Sequence, residues 1–403
     1  MTISIHEFDA PFIDIFDFEL MNDPAKMGAA LGDNWVAKTM FGPMITQHLD
    51  VQALLRDRRL RTPQGLGLEL QGITSGPLYD RVVSGILSLD GDDHGRLRRI
   101  VNSAFNPKSA DALRPFMQSV INELADPLCA KGEGDFVAEV TTQYPIPIIC
   151  KLLGAPREDW EFFSRITDEI FRIFSFDVAA HQDSILASFI ELDTYVEAMV
   201  QRRRTDPQDD LITRLIRAEE SGDKLSLTEL KMMVEATLTA GTDTTRNQLA
   251  AAIELFAKHP DQWAMLAANP ELAAGAVDEV MRHTPVIPGT FRVTKEDVEL
   301  HEVLFPTGTM ISLLTSRANL DDRVHDRPLE FDITRQQKMP HLTFGGGAHY
   351  CLGVNLAKAE LQEALTVLPR RMPHLALTGE VVWKRNVGID GPLNLPISFE
   401  HGH

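Results

Sequence analysis

The sequence has few cysteines and no long apolar run. Only Cys129, Cys150 and Cys351 occur in 403 residues, and this odd, sparse set excludes a disulfide framework and favours a reducing compartment. We expect Cys129 and Cys150 to be small buried hydrophobic residues. No stretch approaches the ~18 apolar residues that a membrane span requires. Cys351 has different surroundings, because three consecutive glycines, Gly345–Gly347, shortly precede it.

Basic residues are also scarce. The chain has 39 Lys and Arg residues against 58 Asp and Glu residues, a formal net charge of −19. So acidic a chain disfavours binding to nucleic acid or to an anionic membrane. The start, M-T-I-S-I-H-E-F-D-A, lacks the basic region and apolar core of a secretory signal. We predict no nucleic-acid partner, no membrane span and a cytoplasmic location.

Helical periodicity dominates the chain, and neither an internal repeat nor a low-complexity linker divides it. We therefore predict a single domain over residues 1–403, mainly α with small β-sheets (α+β). The short runs with β-strand character lie near 34–40, 291–300, 308–313 and 380–398.

Two helices have readable starts. In the first, over 226–259, Ser226 and Glu229 have the spacing of a capping box. The second, over 270–284, follows Asn269, which we expect to be its N-cap because a proline and an acidic residue come next.

A further helix is predicted over 92–104. At 100° per residue, His94 and Arg98 fall on the apolar stripe, whereas Arg96 and Arg99 fall on the opposite side. Basic side chains on an apolar stripe either extend past the core or meet a buried anion. The spacing alone does not decide between these two.

Residues 344–353 read F-G-G-G-A-H-Y-C-L-G and precede a predicted helix over 353–370. The glycines make a tight loop, and its N–H groups together with the helix N-terminus would stabilise a thiolate at Cys351. A zinc site needs more ligands than the nearby His349 supplies. A phosphate loop needs a Lys followed by Ser or Thr. A nucleophilic cysteine with His349 as its base remains open on this segment alone.

The same segment resembles the cysteine-ligand loop of the cytochrome P-450 superfamily, F-G-x-G-x-[RH]-x-C-x-G. Other motifs of that family occur in the family's order, and the resemblance extends from about residue 30 to 400. The resemblance implies a helix-rich fold that encloses haem b between a long central helix and this loop, with Cys351 as the axial iron ligand. The matching positions, which would contact the haem, are Phe344, Gly345, Gly347, His349, Cys351 and Gly353.

Glu279 and Arg282 form an E-x-x-R on the helix predicted over 270–284. Such a pair can also be a surface ion pair at helical spacing, worth a few tenths of a kcal/mol. The resemblance implies instead a buried pair in the structural core, with Arg335 as the candidate partner.

Residues 240–245 read A-G-T-D-T-T on the long predicted helix and resemble the family's motif on its central helix. By resemblance, Ala240 and Gly241 leave room for the haem, while Asp243 and Thr244 are the catalytic pair that delivers protons to the reacting oxygen. A bend held by side-chain hydrogen bonds is the structural alternative for this run.

The resemblance also implies a basic clamp on the haem propionates, and this favours the buried anion for the early helix. Its members are His94, Arg98, Arg292 and His341. Two positions depart from the family pattern. Residues 90–94 read D-G-D-D-H in place of D-P-P-x-H, which is expected to loosen the helix start, and Lys358 stands where arginine is commoner.

The resemblance implies an O₂-dependent monooxygenase that acts on an apolar small molecule of terpenoid, steroid, fatty-acyl or aromatic type. By similarity to soluble bacterial members, its electrons come from an iron–sulfur ferredoxin and its reductase. Alternatives are a peroxide-driven peroxygenase, a non-enzymatic haem ligand sensor and, more remotely, a cysteine hydrolase. An acidic ferredoxin would suit a basic patch made of Arg96, Arg99, Lys108, Arg370 and Arg371.

Family topology places the substrate-lining segments near 66–88, 168–190, 237–248, 286–291 and 387–393, although ordinary core packing explains their apolar residues as well. The expected lining residues are Phe174, Phe176, Val286, Ile287, Thr290 and Ile389, with Asp390 as a possible polar anchor or, more simply, an exposed residue.

Overall fold

Helices form most of this computed structural model, which describes residues 2–175, 177–220, 225–384 and 388–402. The mainly helical fold with small sheets confirms the predicted class. In chain order the α-helices are α1 (Phe18–Asn22), α2 (Pro24–Leu31), α3 (His48–Arg56), α4 (Pro77–Val83), α5 (Gly91–Asn102), α6 (Pro107–Lys131), α7 (Pro145–Leu153), α8 (Trp160–Ile170), α9 (Val178–Thr205), α10 (Leu211–Glu220), α11 (Leu227–Ala257), α12 (Pro260–Ala268), α13 (Ala273–His283), α14 (Thr315–Ala318) and α15 (Val354–Arg371).

The strands are short. They are β1 (Ile3–Ser4), β2 (Val36–Thr39), β3 (Gly42–Ile45), β4 (Leu60–Arg61), β5 (Glu133–Asp135), β6 (Thr290–Thr294), β7 (Val298–Leu300), β8 (Val303–Phe305), β9 (Met310–Leu313), β10 (Ala376–Leu377), β11 (Trp383–Lys384), β12 (Gly391–Pro392) and β13 (Pro396–Ser398). Each predicted β-run contains strand, although residues 385–387 of the last run lie outside the described residues.

The chain forms two units, and the single domain predicted over 1–403 stays a prediction. The first unit comprises Met1–Pro63 and Asp278–Cys351. Its main sheet has the order β2-β3-β9-β6-β4, in which β3 and β9 are parallel and the other pairs antiparallel. A second sheet has the order β1-β8-β7. Apolar residues of α3 and of both sheets, among them Val51, Ile311 and Phe305, form the core of this unit.

The second unit comprises Gln64–Val277 and Leu352–His403. In it α6 packs on α15, and α7 packs on α11. The small sheet β10-β13-β5 and the β11-β12 hairpin complete this unit. No helix among the described residues combines the length and the apolar character needed to cross a membrane.

The capping box predicted for the long helix is confirmed. The Ser226 hydroxyl accepts the Glu229 N–H at 3.2 Å, and Oε2 of Glu229 accepts the Ser226 N–H at 2.7 Å. Both bonds satisfy donors that a helix N-terminus leaves unpaired. They fix the start of α11, the element that carries Asp243 and Thr244.

Asn269 occupies the predicted N-cap position, with Pro270 in the first turn, but its side chain does not make the capping hydrogen bond expected of it. Residues Pro270–Leu272 form a 3₁₀ turn before α13 begins, and Nδ2 of Asn269 donates to the Met265 carbonyl at 2.9 Å. Asn269 also ends α12, and its backbone N–H already donates to the Met265 carbonyl. Its side-chain amide therefore adds a second bond at that helix end instead of accepting an N–H of the next helix.

The two other cysteines differ in burial. Cys150 is fully buried on α7, as predicted, and burial raises the pKa of its thiol to about 12. Cys129 was also expected to be buried, but it is only half-buried. It lies near the end of α6, where its sulfur is 3.8 Å from the Arg371 carbonyl oxygen.

Candidate active site

The cysteine loop is a tight turn in the first unit. Gly345 N–H donates to the Leu342 carbonyl at 2.8 Å, and Cys351 N–H donates to the Phe344 carbonyl at 2.9 Å. The chain reverses through two glycines with φ of +71° at Gly345 and +66° at Gly347, values at which a side chain is strained. These bonds and turns hold Cys351 at the end of a rigid loop, where its side chain is half-buried.

The loop also packs closely against the end of α3. A Cβ on Gly347 would lie 2.5 Å from the Leu55 carbonyl oxygen, so only glycine fits there. The Phe344 ring packs beside His341 with 5.5 Å between ring centroids. His349 is half-buried in the 3₁₀ turn Gly347–His349, and Gly353 is the N-cap of α15.

Two predicted haem-contacting basic residues lie in the first unit. Arg292 is buried on β6 and donates to the Phe291 carbonyl at 2.8 Å and to the Thr290 hydroxyl at 3.2 Å. Nε2 of His341 lies 3.7 Å from a carboxylate oxygen of Asp278, while its buried Nδ1 has no hydrogen-bond partner within the described part of the chain. A buried polar nitrogen of this kind is costly unless a ligand satisfies it, and it suits a bound carboxylate.

The other two predicted haem-contacting basic residues, His94 and Arg98, lie on α5 in the second unit. The Asp90 carboxylate caps the start of α5 by accepting the Gly91 N–H at 2.9 Å, although the prolines of the family pattern are missing. His94 is buried, and Arg98 is half-buried one turn further along. Burial, and secondly the Arg98 charge, lower the pKa of His94. An anion beside these two residues would reverse that effect by favouring the charged imidazole.

The opposite face of α5 differs from the prediction. Arg96 does not point to solvent, because its guanidinium pairs with Glu229 at the start of α11 and lies 3.6 Å from Asp93. Arg99 is exposed, as expected. The ion pair therefore joins α5 to α11 and removes Arg96 from any free basic surface.

The five residues of the predicted basic patch do not lie together. Arg371 contacts Asn122 and Asp126 in the second half of α6. Lys108 lies at the start of α6, 14 residues before Asn122, which is roughly 20 Å along a helix. Arg99 and Lys108 remain as exposed candidates near the α5–α6 junction, and Lys358 is half-buried on α15.

Small and polar residues occupy the middle of α11. The Thr244 hydroxyl donates to the Ala240 carbonyl at 2.9 Å, one turn earlier. A Cβ on Gly241 would lie 2.5 Å from Ile149 of α7, so close packing of two helices already requires this glycine. Ala240 is exposed and Thr244 half-buried in this unit, which leaves both accessible to a ligand.

Asp243 is held in an ionic cluster that the sequence does not reveal. Its carboxylate, 2% exposed, accepts from Nζ of Lys384 at 3.0 Å and from Arg246 at 2.5 Å. Arg246 also pairs with Asp168 at 2.8 Å. Burial acts to lower the pKa of Arg246, but the two carboxylates outweigh it and raise that pKa. Lys384 is 141 residues away in sequence, so no local pattern predicts this contact.

The structure brings Glu279, Arg282 and Arg335 together in the first unit. Two guanidinium nitrogens of Arg282 donate to the Glu279 carboxylate, both at 2.8 Å, and Nε of Arg335 donates to it at 3.0 Å. Glu279 is 1% and Arg282 0% exposed, so this is a buried cluster and not the surface pair that the spacing also allowed. Arg282 additionally binds the carbonyls of Asn319 and Pro328.

The expected substrate-lining residues fall into two groups, one in each unit. In the second unit Phe174 packs on Gly388, where a Cβ would lie 3.1 Å from the Phe174 ring. Ile389 is buried and Asp390 half-buried. In the first unit Val286 is buried, and Ile287 and Thr290 are half-buried. Phe176 lies outside the described residues.

A family model described as Cytochrome P450 matches residues 77–372. The chain belongs to the cytochrome P450 family. Luteothin monooxygenase of Streptomyces thioluteus is 36% identical over 398 residues, which cover 97% of this chain and 96% of that protein. Nocardicin C N-oxygenase of Nocardia uniformis subsp. tsuyamanensis is 34% identical over 364 residues, 88% of this chain and 89% of the relative.

Solved structures agree with the P450 fold. The crystal structure of CalO2 has a TM-score of 0.91 at 30% identity and covers 98% of this chain and 100% of its own. P450BioI, solved with a fatty-acylated acyl carrier protein, has a TM-score of 0.86 at 27% identity, and the match covers 95% of this chain and 100% of the P450BioI chain. This chain is therefore a P450 oxidoreductase of the monooxygenase type with haem b as its cofactor.

The residues of the chain fit that cofactor. Haem needs a soft axial donor and partners for two carboxylates. Cys351 in its glycine loop offers the donor, and the buried, unpartnered Nδ1 of His341 is suited to a carboxylate. P450 membership replaces the interpretation of Cys351 as the nucleophile of a hydrolase. The assignment of individual haem contacts stays a prediction.

Proposed function

We propose that this P450 inserts one atom of O₂ into an apolar small molecule, with electrons from a separate iron–sulfur ferredoxin and its reductase. Haem b ligated by the Cys351 thiolate supplies the chemistry of oxygen activation. The chain's own residues bind the substrate, exclude water and deliver protons. A cytoplasmic location, favoured by the free cysteines, stays a prediction.

The observation that carries the proposal is the placement of Asp243 and Thr244 on α11. Asp243 is a carboxylate held by two cations, so it can pass a proton only when one of these contacts exchanges. Thr244 donates to a carbonyl of its own helix, and its oxygen remains available to accept a hydrogen bond from water. In this role Asp243 supplies protons and Thr244 orients the water that carries them.

An apolar substrate is supported by the character of the expected lining residues in each unit. Phe174 and Ile389 in the second unit, and Val286 and Ile287 in the first, are all aromatic or aliphatic. Relatives are named for luteothin, mycinamicin IV and a steroid. These names support a small organic molecule of natural-product type.

The proposal is tested in two stages with the purified holoprotein. Apolar ligands of terpenoid, steroid, fatty-acyl and aromatic type are first scored by the spectral shift that accompanies loss of the iron-bound water. Ligands that shift the spectrum are then incubated with ¹⁸O₂, ferredoxin, reductase and reduced nicotinamide, and the products are analysed by mass spectrometry. One ¹⁸O atom per product molecule is the expected result.

Two results would contradict the proposal. Equal turnover with peroxide alone would identify a peroxygenase, and ligands that shift the spectrum but never give a product would identify a sensor. The electron source is tested separately by Lys108→Glu, which should raise the apparent KM for an acidic ferredoxin. Lys151→Glu changes a similarly exposed lysine on α7 and serves as the control.

A further inference from the structure

A second ionic cluster, on α4, α9 and α11, has no part in the site described above. Arg81 of α4 donates to the carboxylate of Asp193 on α9 at 2.8 and 3.1 Å. The same guanidinium donates to Oε2 of Glu235 on α11 at 2.6 Å. The three side chains are only 14%, 23% and 17% exposed, so a single arginine links three elements in a largely water-free environment.

The charges around this cluster do not balance when Glu235 is ionised. Lys231 of α11 lies 3.8 Å from Asp193 and 2.7 Å from Glu197, so two cations face three carboxylates. Protonation of Glu235 makes the group neutral. Arg81 also lies over the Phe189 ring, 5.4 Å from its centroid, and its buried Nε has no hydrogen-bond partner among the residues described.

The element that Arg81 holds is a short one. Helix α4 has 7 residues and follows Gly76, whose φ is +102°. The preceding 3₁₀ segment Gln64–Gln71 contains a run of positive φ angles at residues 65–67. This segment has its own polar attachment, because the Gln71 side chain donates to the Ser175 carbonyl at 2.8 Å and accepts the Val178 N–H at 3.2 Å.

We propose that Arg81 is a positioning residue that holds residues 64–90 closed against α9 and α11, and that loss of the proton on Glu235 loosens this attachment. Short elements with few buried apolar side chains, such as α4 with Leu78 and Val82, are among those that open locally at low cost. The consequence for catalysis rests on the proposed function and on the expectation that residues 66–88 border the substrate. In that case the opening admits substrate more readily above neutral pH than below it.

The direction of the pH effect follows from burial. Burial raises the pKa of Glu235 from 4.5 to about 7, and the opposing attraction of Arg81 does not offset it. In the open state the carboxyl is hydrated and its pKa returns towards 4.5. The closed state thus binds the proton more tightly, and it loses stability as the pH rises through 7. Between pH 6 and pH 8 the opening constant should rise about tenfold.

Hydrogen–deuterium exchange of the holoprotein measures this opening directly and requires no substrate. Peptides covering residues 64–90 are compared at pH 6 and pH 8 after each rate is divided by the intrinsic exchange rate at that pH. Native protein should lose about tenfold in protection at pH 8. Glu235→Gln keeps an acceptor for Arg81 but carries no charge, and should show equal protection at both pH values.

Arg81→Gln should reduce protection of residues 64–90 at both pH values. Arg165→Gln on α8 removes an exposed pair with Glu191 of α9, the helix that also carries Asp193, and should leave these peptides unchanged. Equal protection of native protein at pH 6 and pH 8, or a tenfold change that persists in Glu235→Gln, would overturn the proposal. Because no substrate is present, failure of the proposed function leaves this result unaffected.

Discussion

The Glu279 cluster allows the most quantitative test of the fold. Replacing Glu279 with alanine removes the acceptor of three guanidinium bonds and of the Asp332 N–H, which binds it at 3.1 Å. Two arginines then remain beside a cavity, and Arg282 has no access to water. Breaking one side of a buried ion pair costs about 3–5 kcal/mol, a large part of a typical stability of about 5–15 kcal/mol.

The measurement is denaturant unfolding of the holoprotein, followed by far-UV circular dichroism and by the haem absorbance. Glu279→Gln retains the shape and part of the hydrogen bonding, so it should cost less than Glu279→Ala and keeps the test usable if the alanine variant fails to fold. Glu330→Ala is the matched control, since its side chain forms an exposed i,i+3 pair with Arg327 worth at most about 1 kcal/mol. A loss of free energy for Glu279→Ala as small as that of Glu330→Ala would refute the reasoning.

Three further outcomes follow from the structure. Gly347→Ala should prevent normal haem incorporation, measured by the ratio of haem to protein absorbance, because its Cβ would meet the Leu55 carbonyl at 2.5 Å; Gly28→Ala on α2, where a Cβ would make only an ordinary contact at 3.8 Å with Arg317, should incorporate haem normally. Burial, and secondly the Arg282 charge, lower the pKa of His325 to about 4, so the free energy of unfolding should fall by up to about 3 kcal/mol as the pH falls from 6.5 to 4. A His325→Leu variant whose free energy of unfolding fell by as much over this range would contradict this. Cys150 should resist alkylation at pH 8 until the protein unfolds, and rapid labelling of the native protein would argue against its burial.

Local chemistry made much of the fold predictable. The capping box at Ser226 and Glu229 needs only residues three positions apart, and the structure forms it as predicted. The pairing of Glu279 with Arg282 likewise follows helical spacing. The choice of Arg335 as their partner came from family resemblance, and the structure places it 3.0 Å from Glu279.

Contacts between distant segments were not predictable in the same way. Lys384 reaches Asp243 across 141 residues, and Arg81 reaches Glu235 across 154; neither pair has a periodic signal. The expectation that Arg96 points to solvent was wrong for the same reason. Helical phase gives the face of α5 on which Arg96 lies, but it does not reveal that Glu229 on α11 pairs with this side chain. The capping bond expected of Asn269 is missing because its side-chain amide binds the end of α12 and not the start of the next helical segment.

The central claim is that Cys351 ligates the haem iron, and the absorbance of the reduced CO complex tests it most directly. The native protein should show the strongly red-shifted Soret band that a thiolate ligand produces, and Cys351→Ser should lose it. Cys129→Ser, the same substitution at a half-buried cysteine on α6, should keep the band. Survival of the red-shifted band in Cys351→Ser would show that another residue holds the iron and would contradict this account.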